Sequence, residues 1–300
     1  MSRHDAKDFN AQNSTTSVMS ESRATTVRDG VTTDARFQFG ANWRSFLSEL
    51  DEERITEAER SLQLLIARNR LDGSRFLDVG SGSGLSSLAA RRLGAKVVSF
   101  DYDRQSVECT TILRDRFFPG DPNWRVDHGS ILNRDYLGTL GCFDIVYSWG
   151  VLHHTGAMRE AIRNAARLVV PGGLLAVALY RKTALCKFWA LEKRWYCTAS
   201  QRAQSFTRWI YLRLLRFAFA LRRRDFSAYV ARYRGKRGMD FIHDVHDWLG
   251  GYPYESITLA DVEAELKKLG FESVHNNVHP PSLGLFGSGC DEYVYRRLAS

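Results

Sequence analysis

From residue 75 onwards, short apolar runs alternate with stretches whose apolar residues recur at helical spacing. The run Arg75–Val79 predicts a buried strand, and after three glycines a helical pattern begins at Leu85. Lys96–Phe100 predicts a second strand, and Gln105–Phe117 predicts a helix that ends before Pro119-Gly120. This alternation of strands and helices indicates an α/β fold.

The alternation continues towards the C-terminus. Trp124–His128 and the unbroken apolar run Leu174–Tyr180 predict two further strands, the second typical of a parallel sheet covered on both faces. Thr258 and Asp261 form a capping-box pattern, which predicts a helix that extends to about Leu269. The last two strands are predicted over Phe271–Val278 and Glu292–Arg296.

The turn after the first strand carries the first candidate chemistry. Gly80, Gly82 and Gly84 alternate with serines, so the backbone there can approach a nucleotide-like ligand without intervening side chains. The dinucleotide pattern Gly-x-Gly-x-x-Gly lacks its third glycine here, which disfavours an NAD site; a purely structural turn stays an alternative. Asp101 lies 23 positions after Asp78, at the end of the second strand, where a carboxylate is placed to accept both ribose hydroxyls of a nucleoside.

These features resemble the motifs of the class I S-adenosylmethionine-dependent methyltransferases. FLDVGSGSG at 76–84 looks like their first motif, and VVSFDYD at 97–103 looks like their second. FDIVYSWGVLHH at 143–154 looks like the strand-four motif of their small-molecule branch, and PGGLL at 171–175 resembles the turn into strand five. The resemblance implies a Rossmann-like, doubly wound, seven-stranded α/β sheet with an antiparallel last strand, and S-adenosyl-L-methionine as the cofactor.

The resemblance also implies the cofactor contacts, with one departure from the family pattern. The family usually carries Gly-Asp after strand three, with the acid facing the adenine amino group, whereas this chain has Gly129-Ser130. The adenine contact could therefore be shared by Asp127, the Gly129 backbone or Ile131. The expected cofactor-binding residues are Asp78, Gly80, Ser81, Gly82, Gly84, Asp101, Tyr102, Gly129, Ser130, Ser148 and Trp149.

The strand-four motif limits the class of acceptor. Enzymes that methylate amino groups of bases or glutamine typically carry Asn/Asp-Pro-Pro-Tyr where this chain has Ser148-Trp149-Gly150-Val151. The Pro-Cys pair common in base C5 methylation occurs nowhere in the sequence. His153 and His154 follow the strand and are predicted to face the cofactor methyl group, where a histidine can take a proton from a hydroxyl. Alternatively, one of the pair caps or orients the helix predicted over Met158–Leu168.

Residues 181–251 form an insertion between strand five and the last helix. Across 181–237, 16 Lys and Arg stand against two acids, a local charge of +14 that leaves −6 for the rest of a chain with net charge +8. Aromatic residues are interleaved with the cations, and Trp209–Leu221 is apolar but too short and too charged to span a bilayer. The insertion is interpreted as a helical cap with solvated arginines, a surface for an anionic membrane, or a surface for RNA phosphates. Ubiquinone-pathway O-methyltransferases, which the core resembles in motif order, also carry extra helices here, which favours an apolar or lipid-like acceptor over RNA.

Four residues are predicted to contact the acceptor. Trp43 belongs to an N-terminal apolar segment. The family resemblance implies that helices before the first strand cover the cofactor side, and helix packing is the alternative role of Trp43. His243, Tyr252 and Tyr254 lie near a Gly-Gly-Tyr-Pro turn that should return the chain to the carboxyl edge of the sheet, where ligands bind. His243 and His246 are too small a cluster to predict a metal site.

The cysteine content and the lengths of the apolar runs predict the cellular compartment. The five cysteines are odd in number and scattered, so neither a disulfide framework nor a zinc site is predicted. The N-terminus lacks the apolar core of a signal peptide, and no apolar run reaches about 18 residues, so we expect a cytoplasmic protein, free or peripheral at the membrane. The predicted organisation is a disordered tail at 1–33, N-terminal helices at 34–74, the cofactor-binding core at 75–180, the basic aromatic helical insertion at 181–251, and the C-terminal part of the core sheet at 252–300.

The sequence therefore predicts methyl transfer from S-adenosylmethionine to a small molecule, with oxygen as the expected target. One alternative is an RNA methyltransferase that uses the basic insertion, although nucleic acid is not the expected partner. Another is a protein that binds S-adenosylmethionine without catalysis.

Overall fold

The computed structural model describes Leu47 and residues 50–237 and 241–299, without the side chains of 232–237, Ile242 and His243. The predicted tail at 1–33, Trp43 and the side chain of His243 therefore lie outside the described residues. The described strands are β1 (Arg75–Val79), β2 (Lys96–Asp101), β3 (Trp124–His128), β4 (Phe143–Trp149), β5 (Val169–Tyr180), β6 (Phe271–Asn277) and β7 (Cys290–Arg297).

The seven described strands form one sheet in the order β3-β2-β1-β4-β5-β7-β6. β1 to β5 pair in parallel, and β7 lies antiparallel between β5 and β6. The predicted doubly wound sheet with an antiparallel last strand is confirmed. The carboxyl ends of the parallel strands meet at one edge, where the start of β7 also lies, and ligands bind at this edge in such sheets.

Helices cover both faces of the sheet. Alternation along β1 divides the core, because Phe76 packs into a cluster with the first two described helices, whereas Leu77 and Val79 pack against helices on the opposite face. The described helices are α1 (Glu52–Ile66), α2 (Leu85–Arg92), α3 (Arg104–Phe117), α4 (Arg134–Gly138), α5 (Met158–Arg167), α6 (Cys186–Thr198), α7 (Gln201–Leu221), α8 (Phe226–Arg237), α9 (Phe241–Gly250) and α10 (Leu259–Lys268).

The helices and strands begin where side chains cap them or where strand pairing starts. The predicted cap of α10 is confirmed, since Thr258 Oγ1 accepts the backbone N–H of Asp261 at 3.1 Å. α3 begins one residue earlier than predicted, because the side chain of Asp103 accepts the backbone N–H of Gln105 at 2.9 Å and so caps the helix. β5 begins at Val169 rather than at Leu174, with a register shift against β4 that accommodates the Pro-Gly-Gly segment.

The insertion after β5 is helical in its described part. α6 and α9 form a separate apolar cluster around Trp189, Tyr196, Val245 and Leu249. α7 spans 21 residues, and none of them is buried. Within the described chain, no helix has the length and apolar content needed to cross a membrane.

Candidate active site

The turn between β1 and α2 contains three glycines, two of which, Gly80 and Gly82, line a cavity. Gly80, Gly82 and Gly84 have φ angles of 77°, 55° and 83°, in the left-handed region that glycine adopts without strain. At Gly80 the space is also closed, because an added Cβ atom would overlap the side chain of Val151, in the segment after β4. Glycine at this position therefore lets the turn lie directly against that segment.

Asp101 fixes the turn from the end of β2. Its Oδ2 accepts the backbone N–H of Gly82 at 2.9 Å, and its Oδ1 accepts the backbone N–H of Asp103 at 2.9 Å. Burial raises the pKa of Asp101 to about 6, although these hydrogen bonds act in the opposite direction. This carboxylate lines the cavity, where it can accept hydrogen bonds from ribose hydroxyls.

Asp78 lies beneath the same turn and is almost fully buried. Ser87 Oγ donates to its Oδ2 at 2.5 Å. Burial raises the pKa of Asp78 to about 7, and the nearby charge of Asp101 acts in the same direction, whereas the Ser87 hydrogen bond lowers it. Two carboxylates with raised pKa values thus line one end of the cavity, an arrangement typical of functional sites.

The segment after β3 forms the wall where the adenine contact is expected. Gly129, Ser130 and Ile131 line the cavity. Asp127 is engaged elsewhere, because Tyr136 Oη donates to its Oδ2 at 3.1 Å. Of the three alternatives from the sequence, the Gly129 backbone and Ile131 are therefore the ones placed at the cavity.

A single cavity of about 1590 Å³ joins the glycine turn to the helical insertion. Its far side is lined by aromatic side chains of the insertion, among them Tyr211, Phe241 and Trp248. Pockets for one drug-sized ligand are about 300–1000 Å³, so this cavity has room for a cofactor and a second molecule. The predicted site residues that line it are Asp78, Gly80, Ser81, Gly82, Asp101, Tyr102, Gly129, Ser130, Trp149, His153, His154 and Tyr252.

Three predicted site residues, all of them described, lie behind the cavity wall. A Cβ atom at Gly84 would lie 2.9 Å from Cα of Thr110, so this glycine lets α3 pack against the turn. Ser148 Oγ donates to the carbonyl of Val79 at 3.0 Å and joins β4 to β1. Tyr254 is buried within the apolar cluster of the insertion. Each of the three supports the wall from behind.

His153 is fully buried and is held in one tautomer. The backbone N–H of Tyr180 donates to its Nδ1 at 3.2 Å, so the neutral ring carries its proton on Nε2 and keeps no lone pair for a ligand. Nε2 has no hydrogen-bond partner among the described residues. Burial lowers the pKa of His153 well below its usual value, and nearby His154 and Lys193 add to the shift. His153 is therefore a neutral N–H donor.

His154 has the opposite tautomer. Its Nδ1 lies 2.7 Å from the carbonyl oxygen of Pro253, which can only accept, so Nδ1 carries the proton and Nε2 has the lone pair. Burial lowers the pKa of His154 to about 4, and the charge of Lys193 acts in the same direction, whereas hydrogen bonds to the backbone of Pro253 and Gly251 raise it. Of the two histidines, His154 is the one whose neutral ring can accept a proton.

The buried lysine that influences both histidines lies behind the aromatic wall of the cavity. Lys193 Nζ lies 3.6 Å from the ring centroid of Trp248, and the residue is fully buried. Burial lowers the pKa of Lys193 to about 7, although Glu192 acts in the opposite direction. Any positive charge on this lysine disfavours protonation of His153 and His154.

Comparison with known proteins identifies the family. A methyltransferase domain family matches residues 50–233 of the chain. The protein belongs to this methyltransferase family. The predicted enzyme class is confirmed, and the methyl donor is S-adenosyl-L-methionine.

Individual curated relatives have low sequence identity to this chain and match only part of it. The methyltransferase is 28% identical over 138 residues to the ubiquinone biosynthesis O-methyltransferase of Caulobacter sp. (strain K31), across 46% of this chain and 52% of the relative. The chain spans about half the length of the curated relatives it matches.

The chain is also similar to solved structures, at low sequence identity. A chain in the complex of the Haloferax volcanii Trm112 methyltransferase activator with a methyltransferase has a TM-score of 0.51 at 12% identity, covering 89% of this chain and 98% of that one. Magnesium protoporphyrin IX methyltransferase from Synechocystis PCC 6803, with bound SAH, has a TM-score of 0.49 at 15% identity, covering 82% and 84% of the two chains.

The raised pKa of Asp101 predicts a pH dependence of cofactor binding by the methyltransferase. Ribose hydroxyls bind the ionised carboxylate best, so below pH 6 the protein must first release a proton to bind the cofactor. The affinity for S-adenosylmethionine should be constant above about pH 8, where Asp78 is also ionised, and fall by up to about tenfold per pH unit below about pH 6. Calorimetric titration across this pH range measures the affinity, with Asp101→Asn as the variant that should bind weakly and lose the part of the fall that begins near pH 6. An acid fall that persists unchanged in Asp101→Asn would remove Asp101 from the ribose site.

The site predicted from the sequence did not include polar residues on and beside the last two strands. Glu292 of β7, Asn277 of β6 and His279 in the following loop all line the cavity. His279 Nδ1 lies 3.1 Å from Oδ1 of buried Asp291. No local motif marks these residues, because only the pairing of β7 between β5 and β6 brings them to the carboxyl edge of the sheet.

Proposed function

We propose that the protein transfers the methyl group of S-adenosylmethionine to an oxygen atom of a small, largely apolar acceptor. The main support for this proposal is that one cavity contains both regions. The glycine turn and Asp101 lie at one end, and aromatic side chains of the insertion lie at the other. An aromatic wall favours an apolar or lipid-like molecule. The relatives named for O-methylation support oxygen as the target.

The residues present fit the cofactor. A side chain at Gly80 would overlap Val151, so glycine keeps the turn in its place at the cavity, and Asp101 offers carboxylate oxygens beside it. When bound, the cofactor supplies a methyl group on a sulfonium, which is already a good leaving group. The protein is then left to orient the acceptor in line with the methyl group, exclude water and remove a proton.

We assign proton removal to the histidine pair, and within it to His154. Its Nε2 lone pair takes the hydroxyl proton as the new C–O bond forms. A pKa of about 4 is sufficient because a hydroxyl becomes far more acidic while its oxygen is being alkylated. His153, with its proton on Nε2, serves as a hydrogen-bond donor in the same wall.

The proposal is tested by following a labelled methyl group. Purified protein is incubated with a cell extract and S-adenosylmethionine tritiated in the methyl group, and the products are partitioned between water and an organic solvent. We expect protein-dependent label in the organic phase. Label found only in RNA would contradict the proposal and favour RNA methylation, whereas cofactor binding with no labelled product would favour a non-catalytic role.

Because the proposed acceptor is apolar or lipid-like, we also propose that the protein acts as a peripheral enzyme at an anionic membrane. The outer face of α7, defined as Phe206, Trp209, Leu214, Phe217 and Leu221, supports it. These five side chains are between 53% and 70% exposed, so their apolar area is available to a partner. Large exposed apolar patches mark interaction surfaces.

Charge around this face fits lipid phosphates. α7 contains no acidic residue, and Arg213 lies over the ring of Trp209, with its Cζ 5.2 Å from the centroid. Arg222, Arg223 and Arg224 follow directly at the end of the helix and are exposed. Aromatic and leucine side chains flanked by arginines are typical of helices that lie in the plane of an anionic membrane.

Co-sedimentation with lipid vesicles tests the membrane proposal. The wild type should bind phosphatidylglycerol vesicles, lose binding as salt rises, and bind phosphatidylcholine vesicles poorly. Replacing Arg222, Arg223 and Arg224 with Gln should weaken binding by about 100-fold, at about 1 kcal/mol per arginine. Exposed Lys267, Lys268 and Arg296 form the matched control, and their replacement with Gln should change binding little. A wild type that ignores anionic vesicles at low salt, or a control that weakens binding equally, would contradict the proposal.

A further inference from the structure

Four residues form a row across the carboxyl edge of the sheet. Trp149 of β4 pairs with Ala178 of β5, Ala178 pairs with Glu292 of β7, and Glu292 pairs with Asn277 of β6. Paired residues in neighbouring strands project from the same face of a sheet. Their side chains therefore lie side by side, on a face that contributes to the cavity.

The small residue in this row allows a contact across β5. Ala178 is fully buried, and its methyl group leaves space for the indole of Trp149 to reach over the strand. Trp149 Nε1 donates to Glu292 Oε1 at 2.9 Å, and Asn277 Nδ2 donates to Glu292 Oε2 at 3.0 Å. Both oxygens of one carboxylate are thus fixed from opposite sides.

Within the described part of the chain, the Glu292 carboxylate is oriented by neutral donors. Its described hydrogen-bond partners, Trp149 and Asn277, carry no charge, and the carboxylate is half-buried in the cavity wall. A carboxylate oxygen can accept two hydrogen bonds, so each oxygen keeps a lone pair after these contacts. A carboxylate that has no cationic partner among the described residues, held in a cavity wall, is suited to a ligand that donates a hydrogen bond.

The position of this carboxylate sets its distance from the reaction. β7 lies two strands from β4, about 10 Å at ordinary strand spacing. The segment with His153 and His154 follows β4 directly. Glu292 therefore lies about 10 Å across the sheet from the end of β4, in the wall of the same cavity.

We propose that Glu292 anchors the acceptor through a second polar group, a hydroxyl or an amino group, on the far side of the acceptor from the oxygen that is methylated. The inference rests on the proposed function and narrows its substrate class. The anchor should accept neutral or cationic hydrogen-bond donors and repel a carboxylate. Trp149 and Asn277 are positioning residues that hold the anchor.

Three phenols with different groups at the para position test the anchor. The probes are 4-(2-aminoethyl)phenol, 4-(2-hydroxyethyl)phenol and 4-hydroxyphenylacetate, titrated calorimetrically into the protein saturated with S-adenosylhomocysteine. The wild type should bind the amine and the alcohol at least about tenfold more tightly than the carboxylate. Glu292→Gln should reduce the ratio of amine to carboxylate affinity by about 10- to 100-fold, and the remaining preference reflects Asp244 and Asp247, which also line the cavity.

The controls separate the anchor from a structural role and from the proposed function. Glu272→Gln, at an exposed position of β6, should leave the ratio unchanged. A purely structural role for Glu292 would weaken all three probes equally, and that result would overturn the proposal. Binding of S-adenosylhomocysteine with no binding of any probe at millimolar concentration would also overturn it while leaving the cofactor site intact. Failure to bind S-adenosylhomocysteine would instead contradict the proposed function itself.

Discussion

Gly80→Ala should weaken S-adenosylmethionine binding by about 100-fold, as measured by calorimetric titration. Gly80 has a φ of 77°, a conformation that costs an L-residue about 1–2 kcal/mol. The added Cβ would also overlap Val151, and overpacking of this kind typically costs about 1–3 kcal/mol. If the turn moves to relieve both, it also disturbs the hydrogen bond between the Gly82 N–H and Asp101 that fixes this end of the cavity. A loss of about 2.7 kcal/mol corresponds to about 100-fold in affinity.

Gly172→Ala provides the matched control for this substitution. Gly172 has the same φ of 77°, but nothing lies within 4 Å of an added Cβ, and it lies near the start of β5, away from the cavity. Its alanine variant should bear the backbone strain and keep wild-type cofactor affinity. If folded Gly80→Ala also keeps that affinity, the turn does not hold the cofactor.

His154→Asn should lower turnover by about 10²- to 10⁴-fold at saturating S-adenosylmethionine, with cofactor affinity unchanged. Asparagine retains an N–H that can donate to the Pro253 carbonyl, as Nδ1 of His154 does at 2.7 Å, but it lacks the Nε2 lone pair. The loss therefore reports on proton removal rather than on the shape of the loop. Single-turnover measurements separate it from product release.

His153→Asn is the corresponding control, because its amide oxygen can still accept the backbone N–H of Tyr180. It should lose less than about tenfold in turnover. The pH profile gives a second check, since the lowered pKa of His154 keeps the base form down to about pH 4. Turnover at saturating cofactor should thus stay level from pH 8 to about pH 5; an acid limb near 6.5, or equal losses in both variants, would contradict the assignment to His154.

Much of the fold follows from local pattern. Trp124–His128 is a strand over the predicted residues, and the glycine turn and Asp101 lie together because parallel strands bring their carboxyl ends to one edge. These features depend on residues close in sequence, or on the regular geometry of a parallel sheet. The sequence carries both kinds of information without knowledge of distant contacts.

The roles of individual site residues depend on contacts between distant segments. His153 and His154 are adjacent in sequence, yet the Tyr180 N–H and the Pro253 carbonyl give them opposite tautomers. The Glu292 carboxylate is held in the cavity wall by a hydrogen bond from Trp149, which reaches across an alanine of β5. The two residues are 143 positions apart in the sequence. No periodicity in the sequence encodes such a pairing.

Methyl transfer to oxygen is tested most directly by identifying the atom that becomes methylated. The protein is incubated with an extract and S-adenosylmethionine carrying carbon-13 in its methyl group, and the product is analysed by NMR and mass spectrometry. We predict one new labelled methyl signal with the chemical shift of a methyl ether or methyl ester, absent without the protein and much weaker when Gly80→Ala replaces the wild type at limiting S-adenosylmethionine. A labelled methyl group bonded to nitrogen, carbon or sulfur would contradict the account.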